Sequence, residues 1–368
     1  MSGIFIRKHA QCAARNVNVT VISTCSTQSL PLYSFEITRQ TIHLVDEIVV
    51  YYPKCSFSII RPFVQPLLFL IAFIKAYKLY HKKPDLIHVN ILARYGLLAF
   101  FLHLFYQIPY IITEHSSRYL PQRKAFRGTI KKMIVRYIVK RAKAVTVVSQ
   151  TLKEAMLFHK IRNSNFQILY NVVDTGLFVP VLNPSESIKK KIVCITNFKD
   201  SEKNTTGIIK AVKQLSLLRN DFEFHFIGMN EGNDTGFEEM AADMNMINKF
   251  LFFDGLMQEQ ELVNALNHAA FLVSFSNYET FLVVVPEAWA CGVPVISTKV
   301  GILEQHYKPE RGLITDIGNI EQLTHHMNWM LDNYNSFNKS EMRQYVIEHF
   351  SEKIISVQLK DIYQQSLY

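Results

Sequence analysis

The chain has five cysteines, at positions 12, 25, 55, 194 and 291, and neither a C-x-x-C spacing nor a paired framework among them. This excludes a disulfide scaffold and points to a reducing compartment. No Asp-x-Asp, no H-E-x-x-H and no clustered Cys/His set occurs, so no motif for a metal ion is present and no metal or other cofactor is expected. No apolar run reaches the roughly 20 residues that a helical membrane span needs. The run over residues 62–74 contains Gln65 and Pro66 and meets Lys75 and Lys78, and that over 97–106 is shorter. Arg7, Lys8 and His9 interrupt any apolar region at the N-terminus before a signal peptide forms. The net charge is +9, yet the basic residues accompany neither an aromatic stacking array nor a nucleic-acid motif, so no nucleic-acid partner is expected.

What is present is a long, apolar-rich chain divided by charge. Its 368 residues exceed what one core usually supports, and 49% apolar content excludes a disordered chain. Residues 1–170 carry 24 Lys and Arg against six Asp and Glu, and residues 171–368 carry 16 against 25. The two halves therefore face different partners. Much of the positive charge lies over 118–143, where Lys131, Lys132, Arg136, Lys140, Arg141 and Lys143 interleave with Ile130, Met133, Ile134 and Ile138. By itself this helix pattern suits an anionic membrane surface and a sheet-packed helix with a solvated face equally; the charge imbalance favours the membrane.

Strands and helices alternate in the way a parallel sheet requires. Strands are predicted at 17–24, 85–89, 110–113 and 144–148 in the first half, and at 191–196, 222–227, 250–253, 271–274 and 294–298 in the second, with helices between. Residues 276–298 form a polar loop, a helix with Pro286 in its first turn, a stop at Gly292 and Pro294, and a strand. Two carboxylates, Glu279 and Glu287, bracket the opening of that helix. Ligands of open α/β sheets sit beyond the carboxyl ends of strands, and each carboxylate can accept hydrogen bonds from paired sugar hydroxyls. An acidic pair that merely complements the helix dipole has the same local pattern.

The run Glu279-Thr-Phe-Leu-Val-Val-Val-Pro-Glu287-Ala-Trp-Ala-Cys-Gly292-Val-Pro-Val-Ile resembles the signature of glycosyltransferase family 4. Pro84-Asp-Leu-Ile-His88-Val, Ile111-Ile-Thr-Glu-His115, Val147-Val-Ser149, Asn171-Val-Val-Asp174 with Phe178, and Asn197-Phe-Lys199 with Lys203 fall where that family has similar elements. The resemblance spans nearly the whole chain and is specific in the second half. It implies an α/β, GT-B fold, with two Rossmann-like doubly wound domains facing a cleft: residues 1–172 on the acceptor side, a linker over 173–187, a nucleotide-sugar domain over 188–345, and a C-terminal helix over 346–368 returning to the first domain. The family opens with a strand before a glycine-containing loop, and Gly3-Ile-Phe-Ile resembles the end of that loop. The first strand of domain one is therefore expected to be missing, leaving two exposed strand edges.

By the same resemblance, Lys203 and, as an approximate substitute for an Arg absent from its expected place, Lys199 would bind phosphates. Glu279 would hold the donor sugar, Glu287 the ribose, and the amides of Phe281 and Leu282 the sugar or phosphate, with His115 at the reaction centre. His115, Lys203 and Glu279 are the catalytic candidates. Leu282 stands where the family often has Gly, and Ile302, near Glu304, where it has a second one. The implied activity is retaining, metal-independent transfer of a hexose-type sugar from a nucleotide-sugar donor to a glycan or lipid-linked acceptor, in cell-surface polysaccharide synthesis. The expected location is cytoplasmic, peripheral at the inner face of the cytoplasmic membrane. Loops 118–127 and 228–236 would shape specificity. A catalytically weak or inactive nucleotide-sugar-binding protein at the membrane, and another GT-B enzyme such as an epimerase, are the alternatives.

Overall fold

The computed structural model describes residues 3–181, 188–228 and 236–367. Most of loop 228–236 and part of the expected linker thus lie outside the described residues. The first domain runs α1 (Ile4–Ala14), β1 (Val19–Thr27), β2 (Glu36–Ile42), β3 (Val45–Pro53), α2 (Arg61–Tyr80), β4 (Ile87–Asn90), α3 (Ala93–Tyr106), β5 (Tyr110–Glu114), α4 (Thr129–Arg141), β6 (Ala144–Val147), α5 (Gln150–Phe158) and β7 (Phe166–Ile168). Its strands form two sheets, ordered β1-β3-β2 and β4-β5-β6-β7. Strands β1 and β4 each keep one unpaired edge, and no strand joins the two sheets among the described residues. The expected strand deficit is therefore visible as a split sheet. A side chain bridges part of the gap: the Thr24 amide donates to the Tyr95 hydroxyl at 2.9 Å.

The expectation of only helix between residues 24 and 85 is corrected by β2 and β3, which pair antiparallel with Ile42 opposite Val45. The two residues between them, His43 and Leu44, have φ of 47° and 67°. A two-residue hairpin of this hand is ordinarily written Asn-Gly or Asp-Gly, so the local signal for the turn is absent from the sequence. Helix α2 is also longer than the apolar run suggested, and its length and composition would suffice for a membrane span. Yet Leu68, Phe69, Ala72 and Ala76 pack on Ile48, Val50 and Tyr52 of β3, which makes α2 the cover of a sheet.

The second domain comprises β8 (Lys190–Ile195), α6 (Asp200–Lys203), α7 (Thr205–Ser216), β9 (Phe222–Ile227), α8 (Gly236–Asp243), β10 (Leu251–Gly255), α9 (Glu259–Asn267), β11 (Ala269–Ser274), α10 (Val284–Ala290), β12 (Val295–Thr298), α11 (Leu303–His306), β13 (Gly312–Thr315) and α12 (Ile320–Asn333). Its all-parallel sheet is ordered β10-β9-β8-β11-β12-β13. Strand order reverses between β8 and β11, the switch point beyond which such sheets bind ligands. Two last helices, α13 (Lys339–Phe350) and α14 (Glu352–Leu367), lead back. The Val173 amide donates to the Phe350 carbonyl at 2.9 Å. Helix α14 then packs on α1, where the Ser356 hydroxyl donates to the Cys12 carbonyl at 2.8 Å and the Asn16 side chain donates to Ser356 Oγ at 2.8 Å. One apolar core runs through both domains, from Tyr110, Val145 and Val147 to Leu272, Trp289 and Phe350.

His9 on the inner face of α1 is buried, and His88 of β4 is half-buried. Burial is the main cause that lowers their pKa to about 4 and about 3, against carbonyl bonding to Tyr170 at His9 and reinforced by the neighbouring His9 charge at His88. A histidine held neutral in the fold stabilises it above the ordinary value near 6.5, and that contribution is lost as the pH falls toward the folded value. Acidification from pH 6.5 to 4 should cost about 3 kcal/mol at His9 alone, from about 1.4 kcal/mol per pKa unit. We expect melting temperature to fall steeply over that window and the slope to flatten in His9→Gln/His88→Gln. Equal slopes in the two proteins would refute the assignment.

Candidate active site

The loops after β8 and β11 meet at the switch point. After β8 the backbone turns through Phe198 (φ 58°) into the short helix α6, which ends in Lys203 and is followed by Asn204 in the left-handed region. Across from it, Glu279 stands in the loop after β11, and the two side chains form an ion pair. Ser276 Oγ donates to the same Glu279 oxygen at 3.0 Å, and the Asn277 amide donates to the Glu202 carbonyl at 2.7 Å, locking one loop to the other. Burial works to lower the Lys203 pKa, and the charge and hydrogen bond of Glu279 more than reverse it, so the net shift is upward. Lys203 is thus a fixed cation at neutral pH.

Lys199 is exposed and lies one step outward, bonded to Glu202 at 2.7 Å rather than to Glu279. A guanidinium also comes in from the other domain. Arg123 reaches Glu202 at 3.1 Å, bringing a planar cation to the mouth of the site. Its separation of some eighty positions leaves no spacing signal by which sequence could have found it.

Between the two carboxylates the chain passes through Thr280, Phe281 and Leu282. The Thr280 carbonyl accepts from the Ser149 hydroxyl of the first domain. Phe281 turns its ring inward, 6.2 Å from Tyr170 and 6.0 Å from Phe350. Leu282 is buried and holds φ 72°. Glycine is the residue that adopts this conformation freely, and for a leucine it costs roughly 1–2 kcal/mol. Burial of the side chain offsets that strain. With both side chains turned in, the Phe281 and Leu282 amides donate to no acceptor among the described residues. Gly301 lies against this segment at φ 60°, where a Cβ would stand 2.6 Å from the Phe281 carbonyl oxygen and 3.3 Å from Glu279 Cβ. The next amide, of Ile302, donates to that carbonyl at 3.0 Å.

Helix α10 begins at Val284, with Pro286 in its first turn, and carries Glu287 on a buried face. Burial raises the Glu287 pKa to about 7; the Lys8 charge lowers it and Glu259 raises it. The carboxylates that look like a local pair in the sequence therefore have separate surroundings. Glu279 is paired with Lys203, and burial brings Glu287 near its titration point within the field of Lys8 from α1. Glu304 is exposed and accepts from Thr151 Oγ1 of the first domain at 2.7 Å.

His115 follows β5 on the opposite side of the cleft. Its ring stacks on Phe5 at 6.3 Å and tilts against His9 at 5.6 Å, and Nε2 lies 3.3 Å from Asn90 Oδ1. Burial, reinforced by the His9 and His88 charges, holds its pKa well below the ordinary value, so it is neutral. It can exchange hydrogen bonds with a hydroxyl but carries no positive charge. Glu114 beside it points away, as expected for neighbours on an extended segment. Its carboxylate accepts from the amides of Leu92 at 3.1 Å, His115 at 3.0 Å and Ser116 at 2.9 Å, which fixes the turn that presents His115.

The arrangement presents a fixed cation and free amides to an anion, carboxylates to hydroxyl groups, and a neutral imidazole across the cleft. The sequence model of Glycosyltransferase Family 4 matches residues 5–177, and that of glycosyl transferases group 1 matches residues 183–350. An uncharacterized glycosyltransferase of Methanocaldococcus jannaschii is 27% identical over 227 residues, covering 59% of this chain and 56% of the relative. An MMP alpha-(1->4)-mannosyltransferase of Mycolicibacterium hassiacum is 22% identical over 227 residues, covering 61% and 54%. The chain thus spans about half the length of the curated relatives it matches. Among solved structures, sucrose-phosphate synthase from Thermosynechococcus elongatus superposes with a TM-score of 0.78 at 21% identity, covering 99% of this chain and 93% of that one. Anabaena HepE in complex with UDP and glucose superposes with a TM-score of 0.71 at 17% identity, covering 88% and 87%. Two doubly wound domains, a first-domain model and a second-domain model in succession, and a switch-point site between them place the chain in glycosyltransferase family 4, with the GT-B fold.

Proposed function

We propose that the protein is a retaining glycosyltransferase that moves a hexose-type sugar from a nucleotide-sugar donor to a glycan or lipid-linked acceptor, in cell-surface polysaccharide synthesis at the cytoplasmic face of a membrane. The observation that carries this reading is the Lys203–Glu279 ion pair at the switch point, with Glu287 on the next helix. Lys203 faces the diphosphate, and the Phe281 and Leu282 amides supply N–H donors where charge develops on the leaving group. Glu279 holds hydroxyls of the sugar and Glu287 those of the ribose. His115, being neutral, orients a sugar hydroxyl from the opposite wall. The bond from the anomeric carbon to the diphosphate oxygen breaks as that from the same carbon to the acceptor oxygen forms on the same face. The acceptor's proton passes to the departing phosphate. This reading assigns charge neutralisation to Lys203, the fixed cation at the switch point.

A second reading, a nucleotide-sugar-binding protein with weak or no turnover, is favoured by the strained Leu282 where glycine would let the backbone approach a ligand. The two differ in one measurement, release of nucleoside diphosphate across a panel of donors and acceptors. On the transferase reading Lys203→Ala and Glu279→Ala each lower kcat at least a hundredfold, about 2.7 kcal/mol of transition-state stabilisation. Full turnover in both variants would sink the site assignment. Donor binding without release in the unaltered protein would leave the second reading.

The pH dependence tests Glu287. Burial favours its neutral form, so the free protein should lose stability as pH rises from the ordinary Glu range through about 7, while a bound ribose favours the ionised acceptor. Nucleotide affinity should fall as the pH drops through about 7, and titration calorimetry on Glu287→Gln should find weaker binding with that step gone. An unchanged step in the variant would place its origin elsewhere.

Gly301→Ala probes the cradle. Its Cβ meets backbone rather than a movable side-chain end, so we expect a loss of about 2 kcal/mol in stability together with weakened nucleotide binding. Unchanged melting and affinity would show that the loop relaxes freely.

A further inference from the structure

Three helices of the first domain each bury one face and leave an apolar stripe on the other. Helix α2 exposes Phe63 (81%), Leu67, Leu70 and Ile74 at helical spacing. Helix α3 does the same with Leu97, Phe101, Leu104 and Phe105 (71%), and α4 with Ile130 (75%), Met133, Ile134 and Tyr137. On α4, Ile138 and Val139 are buried and Val135 packs against the same core, while the other four apolar residues stay exposed.

The stripes belong to one surface. Tyr110 and Ile112 of β5 pack toward α3 and α4, while Ile111 between them packs toward α1 and α14 on the other side. Phe100 of α3 meets Tyr137 of α4 edge to face at 5.5 Å. Phe69 of α2 meets Tyr95 of α3 at 5.4 Å and lies under the Arg94 guanidinium. The order α2-α3-α4 is therefore contiguous and faces away from α1 and α14. Residues 54–143 hold 17 Lys and Arg against two acids, Asp85 and Glu114, and Glu114 is buried. The bases interleave with the stripes, as Lys131, Lys132, Lys140 and Arg141 do on α4. An apolar face rimmed by bases is complementary to a surface that is apolar inside and anionic at its boundary.

We propose that the outward faces of α2, α3 and α4 form one docking surface that inserts its apolar side chains into the boundary of an anionic bilayer. This rests on the membrane-side part of the reading above and not on the transfer chemistry. Docking is face-down and peripheral, since α2 keeps its other side on β3. It also orients the site. A groove of about 360 Å³ bounded by Leu120, Phe126 and Phe158, with Lys124 and Arg127 at its rim, lies in the loop that carries Arg123 to Glu202 and precedes α4. A bilayer on α4 therefore adjoins the segment that reaches the donor site.

Flotation of the full chain with vesicles tests this. We expect binding to phosphatidylcholine vesicles containing phosphatidylglycerol, at least tenfold weaker binding to phosphatidylcholine alone, and progressive loss between 50 and 500 mM salt. Phe63→Ser/Phe105→Ser/Met133→Ser should weaken binding to the anionic vesicles at least tenfold even at low salt, and Lys131→Glu/Lys132→Glu/Lys140→Glu likewise. All these positions are exposed except Lys132, which is half-buried over the Phe126 ring, and nucleotide affinity, read in parallel, should stay within twofold in both variants. No binding to anionic vesicles, or binding that the triple-serine protein retains, would overturn the proposal. So would a concentration-dependent oligomer that the serine substitutions dissolve while vesicles go unbound, which would mark the face as a contact between copies. Vesicle binding as expected without nucleotide release would strike the transfer reading and leave this one standing.

Discussion

Tyr170 joins the two halves of the molecule. Its ring meets His306 at 4.9 Å, Phe350 at 5.2 Å and Phe281 at 6.2 Å, and its carbonyl bonds His9 at 2.9 Å. One residue at the end of the first domain therefore touches the loop after β11, the crossing between α13 and α14, and a histidine of α1. The contacts with His306 and Phe350 are edge to face, an arrangement with a preferred geometry as well as buried area, which restrains the position of each partner. Removing that seam would release Phe281, and with it the backbone that presents the free amides.

The loops at the switch point are organised before any ligand arrives. Lys203 and Glu279 neutralise one another, Ser276 and Gly301 hold the loop from two directions, and the strain at Leu282 is retained by the packing around it. Such an arrangement lowers the ordering cost of binding, because cation, carboxylate and amides are already fixed. The first domain is assembled differently, from a split sheet in which β1 and β4 each keep one unpaired edge and the Thr24–Tyr95 hydrogen bond spans part of the gap. His115 owes its position to the buried carboxylate of Glu114 and its neutrality to the surrounding apolar and histidine-rich wall.

Much of the second domain was legible locally. Its strands are short apolar runs ended by turn residues, and 271–274 and 294–298 differ by one or two residues from β11 and β12. The hairpin of β2 and β3 was not, because His43 and Leu44 occupy left-handed conformations that no residue preference announces. Within the candidate site, Glu279 and Glu287 share the one contiguous segment that carries the signature, whereas Lys203 lies 76 positions before Glu279 and only the fold brings the two together. Arg123 was invisible, since only chain folding carries it to Glu202. The basic pattern of α4 was readable as amphipathic, but which of its apolar residues face the sheet depends on where α3 and β6 stand.

The order of residues alone determined the alternation of strands and helices, the charge division between halves, the spacing of the two glutamates and the resemblance to family 4. All of these are properties of neighbours along the chain or of summed composition. Tertiary structure decided what those neighbours meet. It placed Lys203 against Glu279 and Glu287 within reach of the Lys8 field, so one carboxylate is held by an adjacent cation while burial brings the other's titration close to neutrality. It also turned three amphipathic helices onto one face. Solvation and long-range contact set those outcomes, and neither is encoded in any local stretch of sequence.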